Sequence, residues 1–335
     1  MVRVNPGPKD ASDWYRLGNQ REDEGRDAEA RDCFERAVSA DPAHARAWNN
    51  LGAARERLGD GAGAELAYRT ALERDPALLQ PSLNLGRLHE ARGQAAQAAE
   101  IYRAARAHHP SDDRLAHLLA ATSGENTARA PRAYVQALFD EQSARFDAHL
   151  VSELGYSVPQ AIAKLLAPLL REPASNRTVL DLGCGTGLVG AALAGTGAAV
   201  TGIDLSPGML AQASRRGVYA KLLKGDVVEA LAQWDAASLA AITAADVFIY
   251  LGDLEPVFAA AARALAPGGA FAFSVEGLAE GTYRLQPTGR YAHAAPYLRR
   301  LAAGAGLRIA HEEPVQIRKQ GRGYAEGEVL LLRKA

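Results

Sequence analysis

The stretch Val179-Leu180-Asp181-Leu182-Gly183-Cys184-Gly185-Thr186-Gly187-Leu188-Val189-Gly190 leaves the backbone little choice. A short apolar run ends in an acidic residue, glycine follows at every second position, and further apolar residues can begin a helix. This predicts a buried strand that turns sharply into a helix whose first N–H groups face a ligand. Glycine permits positive φ and puts no Cβ between chain and ligand. The spacing Gly185-x-Gly187-x-x-Gly190 also satisfies the dinucleotide fingerprint, so the glycines alone do not choose the ligand.

The neighbouring carboxylate separates the two readings. Asp181 lies at the strand end, two residues before Gly183. A carboxylate so close to a helix N-terminus would repel a pyrophosphate, whereas a ligand carrying an α-amino group beside a sulfonium would be drawn to it. The motif resembles D-x-G-x-G-x-G, the first motif of class I S-adenosylmethionine-dependent methyltransferases, and it occurs here as Asp181, Gly183, Gly185 and Gly187. The resemblance implies S-adenosyl-L-methionine as cofactor and a Rossmann-like α/β domain with a seven-stranded, mostly parallel sheet.

Upstream, the chain matches itself when displaced by 34 residues. Leu17-Gly18, Leu51-Gly52 and Leu85-Gly86 recur at that spacing, as do Phe34, Tyr68 and Tyr102, and Pro42, Pro76 and Pro110. Small residues such as Gly18 and Ala30 let paired helices approach, Phe34 fills the gap between them, and Pro42 ends the second helix. The pattern resembles three tetratricopeptide repeats, with Trp14 and Trp48 in the expected tryptophan slot. A further amphipathic helix from Ser111, its expected N-cap, would seal the solenoid. The expected layout is therefore an all-α repeat array over residues 11–121, a linker over 122–131 and an α/β domain over 132–335.

Such arrays hold an extended peptide or protein partner on the concave face of their first helices. Here that face is expected to carry Tyr15, Asn19, Arg46, Asn49, Leu83 and Arg87. Tyr15, Gln80 and Asn84 stand where the family's carboxylate clamp wants basic residues, so a chaperone-tail ligand is not expected. The array either recruits a partner or serves architecture alone, including homodimerisation.

With 38 Lys+Arg against 39 Asp+Glu, the formal charge of −1 provides no general field for nucleic acid or a membrane surface. No apolar run approaches the ~18 residues of a spanning helix, and the opening residues contain no apolar signal core. Cys33 and Cys184 are far apart and lack metal spacing. These features lead to the expectation of a reduced, cytoplasmic setting.

Within the α/β domain, Asp204 ends the second strand and is positioned to accept both ribose hydroxyl hydrogens. By resemblance, Leu205 and Met209 lie against the adenine, Asp226 receives the adenine amino group, and the backbone of Val227 meets a ring nitrogen. Asp181, Asp204 and Asp226 thus end three successive strands and should converge on one crevice. Phe139 and Phe146 belong either to an N-terminal lid over the sulfonium or to the core. Asp246 falls where the family contacts the methionine portion, and Tyr250 is the leading acceptor-side residue. Asp246 with Asp253 suggests the magnesium site of catechol methyltransferases, but the Asp-Asn pair of that type is missing, so no metal is assigned.

The insertion 281–293 is expected to overhang the pocket. In it, Arg290 either grips an acceptor carboxylate or phosphate or forms a surface ion pair, and His293 either deprotonates a hydroxyl or amine or satisfies loop backbone. These residues lead to a methyltransferase acting on an acceptor presented by the repeat array, whether carrier-bound, peptide or protein. The alternatives are a free small-molecule acceptor with repeats used for dimerisation, and a non-catalytic scaffold with a retained cofactor pocket.

Overall fold

A computed structural model describes residues 10–143, 155–171, 177–320 and 323–335. Two units divide between Gly124 and Glu125.

The first unit is a run of helices: α1 (Ala11–Asp23), α2 (Asp27–Ala40), α3 (Ala45–Arg57), α4 (Gly61–Arg74), α5 (Leu79–Ala91), α6 (Ala95–His108) and α7 (Asp113–Ser123). The 34-residue period has a steric cause. A Cβ on Gly18 would come within 2.5 Å of the Phe34 ring, one on Gly52 within 2.6 Å of Tyr68, and one on Gly86 within 2.3 Å of Tyr102. Each aromatic ring is fully buried against the helix before it, and glycine is what allows that approach. The Tyr68 hydroxyl donates to Glu56 and that of Tyr102 to Glu90, at 2.9 and 2.8 Å. The cap of α7 falls on Asp112, not Ser111, because the Asp112 carboxylate accepts from both Arg114 and Leu115 N–H. Gly124 then ends the helix in a left-handed conformation.

In the second unit, α8 (Arg132–Gln142) and α9 (Val158–Arg171) precede the sheet. Strands and helices then alternate: β1 (Thr178–Leu182), α10 (Leu188–Leu193), β2 (Ala199–Asp204), α11 (Pro207–Arg216), β3 (Lys221–Lys224), α12 (Val227–Gln233), β4 (Leu239–Ala244), α13 (Glu255–Ala264) and β5 (Leu265–Leu278). The chain ends with β6 (Tyr283–Leu285), β7 (Tyr291–Ala294), α14 (Ala295–Gly304), β8 (Leu307–Gln320) and β9 (Gly323–Lys334). Parallel pairing gives the order β3-β2-β1-β4-β5, and β9 joins β5 antiparallel with β8 outside it. Two apolar clusters cover the faces, one built on Leu180, Ile203, Ile242 and Phe271, the other on Val179, Val200, Ala241 and Ile162.

Two features add to the expected layout. The expected seven strands, in the order β3-β2-β1-β4-β5-β9-β8, are joined by two more, because the insertion forms the β6–β7 hairpin and β7 pairs with the end of β5. The stretch read as linker is also partly ordered against the α/β unit. Gly252 and Asp253 N–H both donate to Ala128 O, at 2.8 and 2.9 Å, and Ala130 N–H donates to Tyr250 O at 3.0 Å. The Asn126 side chain bridges to Tyr283 O and Leu285 N–H.

Candidate active site

The turn after β1 takes left-handed geometry at Gly183, Gly185 and Gly187, with φ of +61°, +54° and +94°. A Cβ on Gly185 would meet nothing within 4 Å, so this glycine faces open space. A Cβ on Gly183 would strike Val247, which closes that side of the turn. The carboxylate of Asp204 stands alongside: one oxygen accepts Gly185 N–H at 2.9 Å and the other accepts Ser206 N–H at 2.8 Å. Burial pushes the Asp204 carboxyl above its ordinary range, against the pull of those N–H donors.

Asp181, the acidic residue of the motif, is buried. Its two oxygens accept the hydroxyls of Thr243 and Tyr219, each at 2.7 Å. Thr243 is its register partner on β4, so the carboxylate ties two central strands together beneath the turn. Each oxygen of Asp181 thus takes one side-chain hydroxyl. A buried carboxylate needs partners, and one hydroxyl from β4 and one from the loop before β3 supply them. Burial pushes its carboxyl up to about 6. Tyr219, which the sequence reading missed, also accepts Gly190 N–H at 3.2 Å. Its ring occupies the space that a Cβ on Gly187, Gly190 or Gly202 would need. The third glycine of the fingerprint thus makes room for a tyrosine.

Asp226 caps α12 through one oxygen, which accepts from Val228 and Glu229 N–H at 3.1 and 3.2 Å. Its other oxygen receives the guanidinium of Arg129 and Arg132 Nε, the latter at 3.1 Å. Burial opposes the charge, but Arg129, the Glu229 N–H and Arg132 together hold this carboxyl below its ordinary range. Val227 opens α12 with its side chain against the core, Met209 is buried on α11, and Leu205 is half-buried. Asp140 of α8 reaches the start of α11, accepting from Ser206 Oγ at 2.5 Å and Gly208 N–H at 3.2 Å.

On the acceptor side, Tyr250 is buried with its ring edge-on to Phe139 at 5.5 Å. Burial raises its hydroxyl pKa against the opposing charge of Arg290, which is half-buried beside it. Asp246 has a left-handed backbone, φ +59°, and its N–H donates to Ser274 Oγ at 2.9 Å. Its carboxylate accepts from Arg318 through both oxygens. Arg318 also pairs with Glu276, which accepts from Gln286 at 3.3 Å. A bulge between Gln316 and Arg318 sends both Ile317 and Arg318 inward from β8. Arg318 and Glu276 are site residues that the sequence reading did not identify.

His293 lies in the hairpin, buried, with Nε2 donating to the carbonyls of Leu251 at 2.9 Å and Gly252 at 3.1 Å. Burial pushes it down to about 4, so it is neutral near pH 7. It stacks on Tyr297 with centroids 6.3 Å apart. Of the two roles expected for His293, the geometry matches the one that satisfies loop backbone. Asp253 accepts from the Tyr297 hydroxyl and Glu255 N–H, so it and Asp246 are committed to different partners. Among the described residues no group of His, Cys, Asp and Glu is arranged to hold a metal. Phe146 lies outside the described residues.

Residues 179–269 match the family described as methyltransferase domain, and 11–54, 45–78 and 82–112 match tetratricopeptide repeat families. The chain joins tetratricopeptide repeats to a methyltransferase domain. A ubiquinone biosynthesis O-methyltransferase of Xanthomonas oryzae pv. oryzae is 34% identical over 147 residues, covering 39% of this chain and 61% of that one. Methyltransferase-like protein 27 of Homo sapiens is 41% identical over 73 residues, 22% of this chain and 30% of that one. The chain thus spans about three fifths of the length of the first of these relatives. Among solved structures, the cyclase SpnF aligns with a TM-score of 0.49 at 18% identity, over 62% of this chain and 98% of that one. Magnesium protoporphyrin IX methyltransferase of Synechocystis with bound SAM aligns with a TM-score of 0.46 at 18% identity, over 61% and 97%. No helix among the described residues of the repeat–methyltransferase chain is long and apolar enough to cross a membrane.

In the repeats, Asn50 donates to Asn19 at 2.9 Å and to the Tyr15 hydroxyl at 3.4 Å. Asn84 donates to Asn49 at 3.1 Å and accepts from Gln80 at 3.2 Å. A row of uncharged amides therefore crosses α1, α3 and α5. Arg87, expected on the same face, pairs with Glu56.

Proposed function

We propose that this chain is an S-adenosylmethionine-dependent methyltransferase whose acceptor is delivered by its repeat array. The observation that carries the reading is the open cradle at Gly185, where a left-handed glycine without a Cβ neighbour lies beside the buried carboxylate of Asp204. The donor set suits an adenosyl group. Asp204 retains lone pairs for ribose hydroxyls, Leu205 and Met209 would supply an apolar wall, and Asp226, the cap of α12 just past the third strand, would face the adenine. The bound cofactor would supply an electrophilic methyl group on a sulfonium.

The protein's share is orientation and exclusion of water. Thr243 and Tyr219 hold Asp181 and so fix the turn from below. Phe139 and Tyr250 wall the acceptor side with aromatic surface, and Arg290 beside Tyr250 offers a fork to an anionic acceptor group. The Xanthomonas relative is named as an O-methyltransferase, which favours a hydroxyl acceptor here. With the cofactor bound, a hydroxyl acceptor would receive the methyl group and its proton would pass to solvent water. The amide row across α1, α3 and α5 supports recruitment of an extended chain, because amides pair with peptide groups.

Calorimetry with sinefungin tests the cofactor. Wild type should bind, and Asp204→Ala should lose at least tenfold in affinity, about the worth of a charge-assisted hydrogen bond. An absence of binding by wild type would refute the assignment. For recruitment, the Asn50→Ala/Asn84→Ala variant should label less product in native extract from labelled cofactor, with sinefungin affinity unchanged. Equal labelling would leave the array without that role.

A further inference from the structure

The carboxylate of Asp226 has four donors already. Val228 and Glu229 N–H occupy one oxygen, and Arg129 and Arg132 occupy the other. Four donors fill the lone-pair sites of a carboxylate, so an adenine amino group could be received there only by exchange. The two backbone donors belong to the cap of α12 and are not exchangeable without fraying it.

The arginines differ. Arg129 is carried on a segment pinned on both sides of it, through Ala128 O and Ala130 N–H, to the Tyr250–Asp253 loop, and it bridges to Leu251. Its guanidinium is therefore delivered to Asp226 by backbone that is already fixed. Arg132 stands at the start of α8 with its side chain 44% exposed, and a second nitrogen pairs with Glu229 at 2.5 Å. It can release Asp226 and keep a carboxylate partner.

We propose that Arg129 is a positioning residue for the adenine side, holding Asp226 in place and ionised, while Arg132 yields its position to the adenine amino group when the nucleoside binds. This deepens the proposed cofactor reading and rests on it. One guanidinium N–H leaves as one amino N–H arrives, so the carboxylate remains fully paired. The same segment joins the adenine-side carboxylate to the loop carrying Tyr250, which places both ends of the site on one piece of backbone.

Sinefungin calorimetry on the full chain separates the two arginines. Arg129→Met should weaken binding about tenfold, the scale of a lost charge-assisted pair, and Arg129→Lys should recover part of it. Arg132→Met should bind within twofold of wild type or more tightly. The groups facing Asp226 are Arg129 before α8, Arg132 on α8, the Val228 and Glu229 N–H groups of α12, and the Glu229 carboxylate across Arg132. Without Arg129, Asp226 protonates at higher pH, so affinity of Arg129→Met should fall more steeply on acidification than that of wild type. A merely structural loss would not change that slope. Binding by Arg129→Met and Arg129→Lys that matches wild type in strength and slope overturns the proposal, as does an equal loss in Arg132→Met. If Arg129→Met does not fold, Arg129→Lys and Arg132→Met still decide. Failure of wild type to bind sinefungin instead removes the cofactor reading itself, and this proposal with it.

Discussion

Arg318 donates through a single nitrogen to both oxygens of Asp246, at 2.9 and 2.7 Å, from the far edge of the sheet. That contact holds a residue in left-handed backbone at the carboxyl end of β4, a conformation that costs a non-glycine residue about 1–2 kcal/mol. Burial opposes the charge on Arg318, but Asp246 and Glu276 together hold it protonated.

Removing Arg318 would therefore do more than delete a pair. Arg318→Met leaves the buried Glu276 and the half-buried Asp246 without the guanidinium they share, and a loss of about 3 kcal/mol in unfolding free energy is expected. The triple variant Arg318→Met/Asp246→Asn/Glu276→Gln should regain most of it, since no charge is then stranded. Urea unfolding measures both. A loss under about 1 kcal/mol for the single variant would show that these side chains are not the buried cluster described.

The repeat unit allows a sharper steric test. Gly52 and Gly59 lie on either side of a helix end, yet a Cβ on Gly52 comes within 2.6 Å of the Tyr68 ring, while one on Gly59 meets nothing within 4 Å. Tyr68 cannot retreat, because it is fully buried and its hydroxyl is held by Glu56. Gly52→Ala should cost about 1–3 kcal/mol through overpacking. Adding Tyr68→Leu should relieve part of that, giving a double variant more stable than the sum of its singles by about 1 kcal/mol. Strict additivity would count against contact between the two positions.

The same contrast between local and distant causes explains what could be read from the chain alone. The 34-residue repeat and the turn from Asp181 to Gly190 were legible because their causes are local: a ring needs a glycine one helix earlier, and a tight turn needs positive φ. The place of Asp204 at the end of β2 was legible because strand, turn and next strand have a nearly fixed length. Tyr219 was not, since it meets Asp181 across 38 residues and shows itself only as missing Cβ atoms at Gly187, Gly190 and Gly202. Arg318 was hidden by a bulge, which reverses the facing of a strand residue without changing its composition. The run Ser123-Gly124-Glu125-Asn126-Thr127 has the composition of a linker, but the backbone that follows, at Ala128 and Ala130, pairs with the Tyr250 loop. The orientation of His293 follows from β7 pairing with β5, a register that no short motif encodes.

Asp181 and His293 should bend the pH dependence of stability in opposite directions. Burial raises Asp181 from its ordinary 3.8 to about 6, so the folded chain keeps a proton that the unfolded chain has released. Its contribution is fully present below about pH 4 and is lost as pH rises through 6, a swing of about 3 kcal/mol. Burial lowers His293 from 6.5 to about 4, so here the unfolded chain takes the proton first. That contribution is present above about pH 6.5 and is lost as pH falls through 4, again about 3 kcal/mol. The two swings nearly cancel in the wild type over this window. Asp181→Asn should therefore be more damaging at pH 4 than at pH 7 by about 3 kcal/mol. His293→Gln, whose amide can still donate to the Leu251 carbonyl, should show the reverse. Urea midpoints for the three proteins at pH 4, 5, 6 and 7 report this directly, with the His293 ring resonance by NMR as an independent reading of its titration near 4. If both variants ran parallel to wild type across the series, neither group would be held in the buried state that its surroundings impose.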